Sequence, residues 1–423
     1  MVRRVVVLGA GYGGLNSALQ LERQLSQSKD RNWEIILVDR CNYHQHVIMI
    51  HEIAANSTAP EEAVIPLAYL LNGKRITFMQ GDVKDVDLGG QQVAFDSQRI
   101  DYDRLVVALG SETSYFGIPG AEQNTLGLKS VDDARRINAH IKRTFLIARN
   151  SSRKDRASLL TFVVCGGGYS GVELTGELAD WLPELALAND IDPSEVRLVV
   201  VEAAPTILMG YPAGLPGKAS ELLVKKGVEL QVGSPVAEIG EGMVKIRSGE
   251  TIAAHTILWT GGVQGPAALA QWGLQTGAKG RAVVNGYLES VSHPGVYVIG
   301  DCSLVVNPNT GRPAAPSAQM ALQQAPHVAE NLEAELVGGQ RETFRPAGTG
   351  EVFSMGRRHA YAVLGRISFD GYAARLLKEA IALRYYLNLG GPALVMEKMP
   401  GALRTTAGGA RLLLQRRGLQ TKG

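Results

Sequence analysis

MVRRVVVLGAGYGG, residues 1–14, decides how the rest of the chain is read. The largely β-branched run Val5 to Leu8 predicts a short strand, Gly9-Ala10-Gly11-Tyr12-Gly13-Gly14 a turn, and the spacing from Leu15 to Leu25 a helix. In such a unit Gly9 permits the tight turn, Gly11 lets backbone approach a pyrophosphate, and Gly14 lets the helix pack close on its strand. The phosphate charge then faces the free N–H groups and the positive dipole end of the helix. A second strand, Glu34 to Val38, ends at Asp39, an acid placed for ribose hydroxyls. A glycine pattern alone is common; with the strand, the helix and the distal acid it predicts a dinucleotide-binding fold.

The pattern recurs. Leu159 to Cys165 predicts a buried strand, Gly166-Gly167-Gly168-Tyr169-Ser170-Gly171 the turn, and Val172 to Leu182 the helix. Gly166, Gly168 and Gly171 take the three glycine roles, and Arg197 to Val201 is a strand ending at Glu202. No basic residue follows in Glu202-Ala203-Ala204-Pro205, which suits a free 2′-hydroxyl and repels a 2′-phosphate, so NADH is expected over NADPH.

Around these units the chain alternates helix and strand. His44, His46 and His51 lie close in sequence but share no ligand spacing, with no cysteine or carboxylate completing a set, so no metal site is expected. Ile65 to Leu71 reads as a short apolar helix, and Ile76 to Leu109 as a β-meander whose last run, RLVVALG, returns to the sheet and ends at Gly110. Asp132 to Arg149 has helical spacing, and Asn150 to Arg156 reads as a polar linker. Strands near Val228 to Val232 and Thr256 to Trp259 are followed by Gly261-Gly262, and Gly295 to Ile299 forms a further apolar strand before Gly300 and Asp301. Pro316 is expected in the first turn of a helix through Gln324, with Gln319 and Gln323 on one face and a kink at Pro326.

Composition bounds the classes. Two or three domains are expected from 423 residues. The hydrophobic 45% and charged 20% describe a well-cored chain, and a net charge of +2 argues against a nucleic-acid partner. Cys41, Cys165 and Cys302 are scattered without C-x-x-C or zinc spacing, which points to a reducing, cytosolic-side protein. No apolar run reaches the roughly 20 residues of a spanning helix. Residues 371–423 carry nine Lys or Arg against Glu379 and Glu397, about +7, leaving the body acidic. From Ala373 to Leu389 the spacing puts Leu376, Leu377, Ala380, Ile381 and Leu383 on one side, with Arg375, Lys378 and Glu379 opposite. Such a helix suits either an anionic membrane surface or packing on the body or a dimer partner, and Leu412 to Arg417 repeats the theme.

The chain resembles the two-dinucleotide-binding-domain flavoproteins, and within them the type II NADH:quinone oxidoreductases. The resemblance covers nearly everything up to Leu389. It is carried by GAGYGG at 9–14, NYH at 42–44 with HE at 51–52, YDRLVVALGSETSYFGIPG at 102–120, GGGYSGVELTGEL at 166–178, LWTGG at 258–262, VYVIGDC at 296–302 and SAQMALQQ at 317–324. The last is similar to the A-Q-x-A-x-Q quinone-site signature of that family. Pro326 and the basic tail depart from the pattern, and no calcium-binding insertion is present.

The resemblance implies an α/β fold of two Rossmann-like, glutathione-reductase-like domains: a discontinuous FAD domain (1–120 and 263–345), an NADH domain (121–262), and a C-terminal amphipathic helical segment (346–423) for membrane association or dimerisation. FAD would be held by Gly9, Gly11, Gly14, Asp39, Gly110 and Asp301, with the helix start at Ala318 facing the isoalloxazine; NADH by Gly166, Gly168, Gly171, Glu202 and Gly262. Gln319 and Gln323 would line a quinone pocket. Glu173 would place nicotinamide or deliver protons, with Lys378 a candidate partner. A peripheral, monotopic homodimer on the cytoplasmic side of the cell membrane is expected. The rival readings are a sulfide:quinone oxidoreductase, an NADPH-preferring quinone reductase, or a nucleotide-sensing flavoprotein without turnover. The first needs cysteines that the sequence does not pair, and a disulfide reductase is excluded in the same way.

Overall fold

In the computed structural model, which describes residues 2–27, 32–212, 214–308, 311–348, 350–365 and 367–398, the opening apolar run becomes a central strand. β1 (Arg3–Leu8) is completely buried from Val5 to Leu8, which a strand covered on both faces requires. α1 (Tyr12–Gln27) follows the first glycine turn. β2 (Trp33–Asp39) pairs parallel to β1 with Leu8 opposite Val38, and β3 (Ile76–Gln80) pairs parallel to β2. An antiparallel meander of Val83–Asp87, Gln92–Phe95 and Gln98–Asp101 intervenes before β4 (Arg104–Val107), which pairs parallel to the other side of β1.

α2 (Val131–Arg149) starts with a complete capping box, in which the Ser130 hydroxyl accepts from the Asp133 N–H and the Asp133 carboxylate accepts from the Ser130 N–H. The second parallel sheet then repeats the first: β5 (Thr161–Cys165), α3 (Tyr169–Ala188), β6 (Arg197–Val201), β7 (Val228–Gln231) and β8 (Thr256–Trp259), in spatial order β8-β5-β6-β7 with Leu126–Gly127 on the β8 edge. The chain returns to the first sheet as β9 (Val296–Val298), beside β4, and continues into α4 (Ala318–Val337). Two parallel sheets, each with a glycine turn on its central strand, match the expected fold class.

Several local expectations need correction. Ile76–Gln80 joins the parallel sheet and is not part of the meander, because its partner is β2. Val64–Pro66 is a strand paired with Tyr43–Gln45, and only Leu67–Leu70 is helical. Asn150 to Arg156 is not a linker: Ser152 caps a helix over Arg153–Leu159 by accepting from the Asp155 N–H. Pro316 precedes the helix cap, which is Ser317 accepting from the Met320 N–H, and α4 continues through Pro326 to Val337.

The described chain divides into two compact units, residues 2–348 with 354–357, and residues 350–353 with 358–398. In the second, the antiparallel pair Ala360–Leu364 and Ile367–Gly371 packs Ala360 and Ala362 against Ala374 of α5 (Tyr372–Lys398), beside Val352, Phe369 and Leu377. The expected division of α5 into faces is wrong. Lys378 is buried at 8% exposure, along with Ala374, Tyr385, Tyr386 and Leu394, while Leu376 and Ile381 are exposed at 49% and 44%. A small residue and aromatic rings make the packed side, where a lysine's aliphatic stem can also lie. Gly391, at φ 71 and ψ −169, interrupts the helix before Pro392. The Leu412 to Arg417 repeat lies outside the described residues.

Candidate functional site

The two glycine turns are built alike. Gly9 and Gly166 both adopt positive φ, +97 and +115, and a Cβ on Gly14 or Gly171 would stand 1.9 Å from the carbonyl oxygen of Gly9 or Gly166. The middle glycines differ from these: a Cβ on Gly11 or Gly168 would meet nothing within 4 Å. Each turn is therefore tight where helix meets strand and open where a ligand would approach.

The strand-end acids repeat this correspondence. Asp39 accepts from the Ala10 N–H at 2.6 Å and the Cys41 N–H at 2.7 Å; Glu202 accepts from the Gly167 N–H at 2.6 Å and the Ala204 N–H at 2.7 Å. Each carboxylate is thus fixed by one turn amide and by the amide two residues beyond itself, with lone pairs left for ribose hydroxyls. Burial raises the Asp39 carboxyl above its ordinary range, against the two N–H bonds that lower it.

A cleft of about 250 Å³ is lined by Val263, Gln264, Lys279, Arg281, Asp301 and Pro313 to Pro316. Asp301 accepts from the Ser111 hydroxyl at 3.0 Å, and that hydroxyl accepts from Lys129 Nζ at 2.6 Å. Burial lowers the Lys129 ammonium, with Asp301 and Asp133 opposing the shift. Arg281 donates to the Ala314 carbonyl at 3.0 Å, while its buried Nε has no hydrogen-bond partner among the described residues. Pro316 lines this cleft two residues before α4 begins at Ala318, so the helix start borders it. Gly110 has φ +73, and the carbonyl of Gly262 accepts from the Ser114 N–H at 3.0 Å.

The two glutamines of α4 differ. Gln319 is exposed, whereas Gln323 is tied to the backbone of Ala347, donating at 3.3 Å and accepting at 2.9 Å. Sequence reasoning passed over Gln324, which is 1% exposed, accepts from the Gly300 N–H at 2.6 Å and, among the described residues, leaves its amide nitrogen without a partner. Its period with Ala321, Ala325 and Val328 on the buried face was the available signal. Glu173, at 3% exposure one turn into α3, accepts from the backbone N–H of Ser354 at 2.9 Å and from its hydroxyl at 3.1 Å.

The three histidines serve two separate purposes. His44 lies 2.9 Å from the Ala10 carbonyl and His46 lies 3.1 Å from the Tyr12 hydroxyl, so both brace the first turn. Burial pushes the His44 imidazole down to about 4. His51 stands instead with Glu52 and Glu177, ligating atoms of all three within 4.8 Å, so carboxylates do join one histidine, contrary to the expectation from spacing. Glu177 is four residues beyond Glu173, one helical turn on, a relation legible in the sequence.

Comparison with known proteins places this geometry. Residues 3–325 match the pyridine nucleotide-disulphide oxidoreductase family. Type II NADH:quinone oxidoreductases of Staphylococcus saprophyticus and Staphylococcus aureus are each 32% identical over 399 residues, covering 94% of this chain and 98% of theirs. Among solved structures, NDH2 from Plasmodium falciparum in complex with NADH aligns with a TM-score of 0.84 at 16% identity, over 94% of this chain and 97% of that one. The sulfide:quinone oxidoreductase of Aquifex aeolicus aligns at 0.74 and 20% identity, over 91% and 90%. Both share the fold.

Proposed function

This chain belongs to the type II NADH:quinone oxidoreductases, and from that premise we propose how its own residues carry the reaction. FAD lies on the β1–α1 turn, with Gly9, Gly11 and Gly14 at its pyrophosphate and Asp39 on its adenosine ribose. Gly110, Asp301 and the start of α4 at Ala318 serve the rest of it. NADH lies on the β5–α3 turn against Gly166, Gly168, Gly171 and Glu202, with Gly262 alongside. The FAD domain is then 1–120 with 263–345, and the NADH domain 121–262. The observation that carries this reading is the pair of open middle glycines, each in a turn whose neighbouring amide is locked to a strand-end acid.

Bound on these residues, a flavin would supply the hydride acceptance from nicotinamide and the two-electron reduction of a quinone. The protein binds and orients. The glycine turns hold both pyrophosphates against helix N-termini, and the α4 dipole favours negative charge beside Ala318. Asp301 is held by Ser111, itself held by Lys129. Gln319, exposed on α4, is the quinone contact; Gln323 lines the same face but also fastens α4 to Ala347. Glu173 handles the proton. Membrane attachment falls to α5 and the basic tail beyond it, at the cytoplasmic face and as a homodimer; among the described residues no helix is long and apolar enough to cross a membrane.

A sulfide-oxidising role is disfavoured by the thiols. Cys41, Cys165 and Cys302 are all free, and burial pushes Cys165 and Cys302 up to about 12, far from the thiolate that sulfur transfer needs. The test is anaerobic mixing with NADH and then a soluble quinone. Flavin absorbance is expected to vanish and return; a colourless protein that gains no flavin on reconstitution would overturn the assignment.

A further inference from the structure

Of one buried polar cluster, the reading above uses only Glu173. His51, Glu52, Glu173 and Glu177 are exposed by only 3%, 4%, 3% and 0%. With its hydrogen on Nε2, His51 donates to the Ser354 hydroxyl at 2.9 Å, and that hydroxyl donates to Glu173 Oε1 at 3.1 Å. The other ring nitrogen stands 3.6 Å from Glu173 Oε2, and Nε2 is also 3.8 Å from Glu52 Oε1. On the far side, Glu177 accepts from the Ser57 hydroxyl at 2.5 Å and Glu52 from the Thr58 hydroxyl at 2.9 Å. Ser57 is exposed and Thr58 half-buried. A line of exchangeable groups thus runs from solvent to Glu173, and every member but the first two is buried.

Three carboxylates in a buried site cost far more than apolar side chains of the same size, so packing alone does not account for them. We propose that His51 is a positioning residue that holds Glu173 through Ser354 and reloads it with protons drawn from solvent through Glu52, Glu177, Ser57 and Thr58. The proposal rests on the quinone-reducing role given above and deepens it. The overall reaction converts NADH, one proton and quinone into NAD⁺ and quinol, so one proton per turnover must come from water. Glu173 gives its proton to a quinone oxygen. His51 then returns one to Glu173 and is recharged from Glu52 or Glu177, which take theirs from water at Ser57 and Thr58. No electrons move along this line.

The test uses the full-length flavoprotein and the variants H51Q, H51A and E177Q. Each is reduced anaerobically with NADH and mixed with a soluble quinone in H2O and D2O. H51Q is expected to slow flavin reoxidation by about tenfold or more, the scale of a lost acid–base step, and to raise the solvent isotope effect. Added imidazole should restore the rate in H51A, which a merely structural role does not explain. Infrared spectra of the resting protein should show a shifted protonated-carboxyl band in H51Q and its partial loss in E177Q. Reoxidation unchanged in H51Q and E177Q, or H51A insensitive to imidazole, would overturn the relay. So would a stoichiometric metal ion copurifying with the wild type but not with H51Q. A wild type that bleaches with NADH yet is never reoxidised by quinone would instead defeat the quinone reading.

Discussion

His44 shows how one buried side chain ties the first glycine turn to pH. Burial holds its imidazole down to about 4 from an ordinary 6.5, against the Ala10 carbonyl that favours the charged form. The native state therefore binds fewer protons than the unfolded chain between those values, and stability falls as pH drops through that window. The destabilisation reaches about 3 kcal/mol by pH 4 and is absent above neutrality. Urea midpoints measured from pH 7 to pH 4 should fall less steeply in His44→Gln than in the wild type. The glycines separate folding from binding at the same scale. Gly14→Ala places a methyl on the Gly9 carbonyl and should lower the melting temperature of the apoprotein sharply. Gly11→Ala meets no atom of the described residues and should change the apoprotein's stability by no more than about 0.5 kcal/mol, while the protein purifies colourless. Gly168→Ala should retain flavin and lose NADH affinity, read by titrating absorbance with NADH.

Among the elements, α4 carries the most divided roles. Gln319→Ala should slow quinone reduction up to about tenfold, the value of one hydrogen bond, without moving the melting temperature. Gln323→Ala should lower both, because its amide also fastens Ala347. Gln324→Leu leaves the Gly300 N–H unpaired and should cost about 1–3 kcal/mol of stability by urea titration. These differences explain what the sequence made legible. The glycine turns, the strands flanking them and the acids at Asp39 and Glu202 were readable because local chemistry dictates them: a turn of that shape needs glycine, and a strand buried on both faces needs an unbroken apolar run. Ile76–Gln80 was misplaced because strand pairing is non-local, and nothing inside ITFMQ says that its neighbour is β2. The helix at Arg153–Leu159 was hidden by a polar composition that its Ser152 cap overrides. Ser354 and Glu177 escaped the site for the same reason as β3: their partner His51 is distant in sequence from both.

At the scale of the whole molecule, charge and apolar surface are distributed in a way that bears on the membrane. Residues 371–423 hold about +7 of a chain whose total is +2, so the remainder is about −5. Within α5, Tyr372, Leu376 and Leu387 are exposed at 68%, 49% and 49%, and their spacing of four and eleven residues repeats on one line of the helix. Five of the nine basic residues fall after Lys398, outside the described residues. Two attractions of different physics should therefore add. Basic residues near an anionic surface contribute about 1 kcal/mol each and are screened within a Debye length of roughly 8 Å at physiological salt. Apolar side chains contribute about 1.5–3 kcal/mol each when fully buried, with no dependence on ionic strength of that kind. Cosedimentation with vesicles containing anionic lipid can separate the two. The wild type should weaken as salt rises yet keep a bound fraction; removal of residues 399–423 should lower binding at low salt and flatten its salt dependence. The double variant L376E/L387E should bind only at low salt and release fully as salt rises. Equal binding by L376E/L387E and the wild type at high salt would show that the exposed line on α5 does not face the lipid.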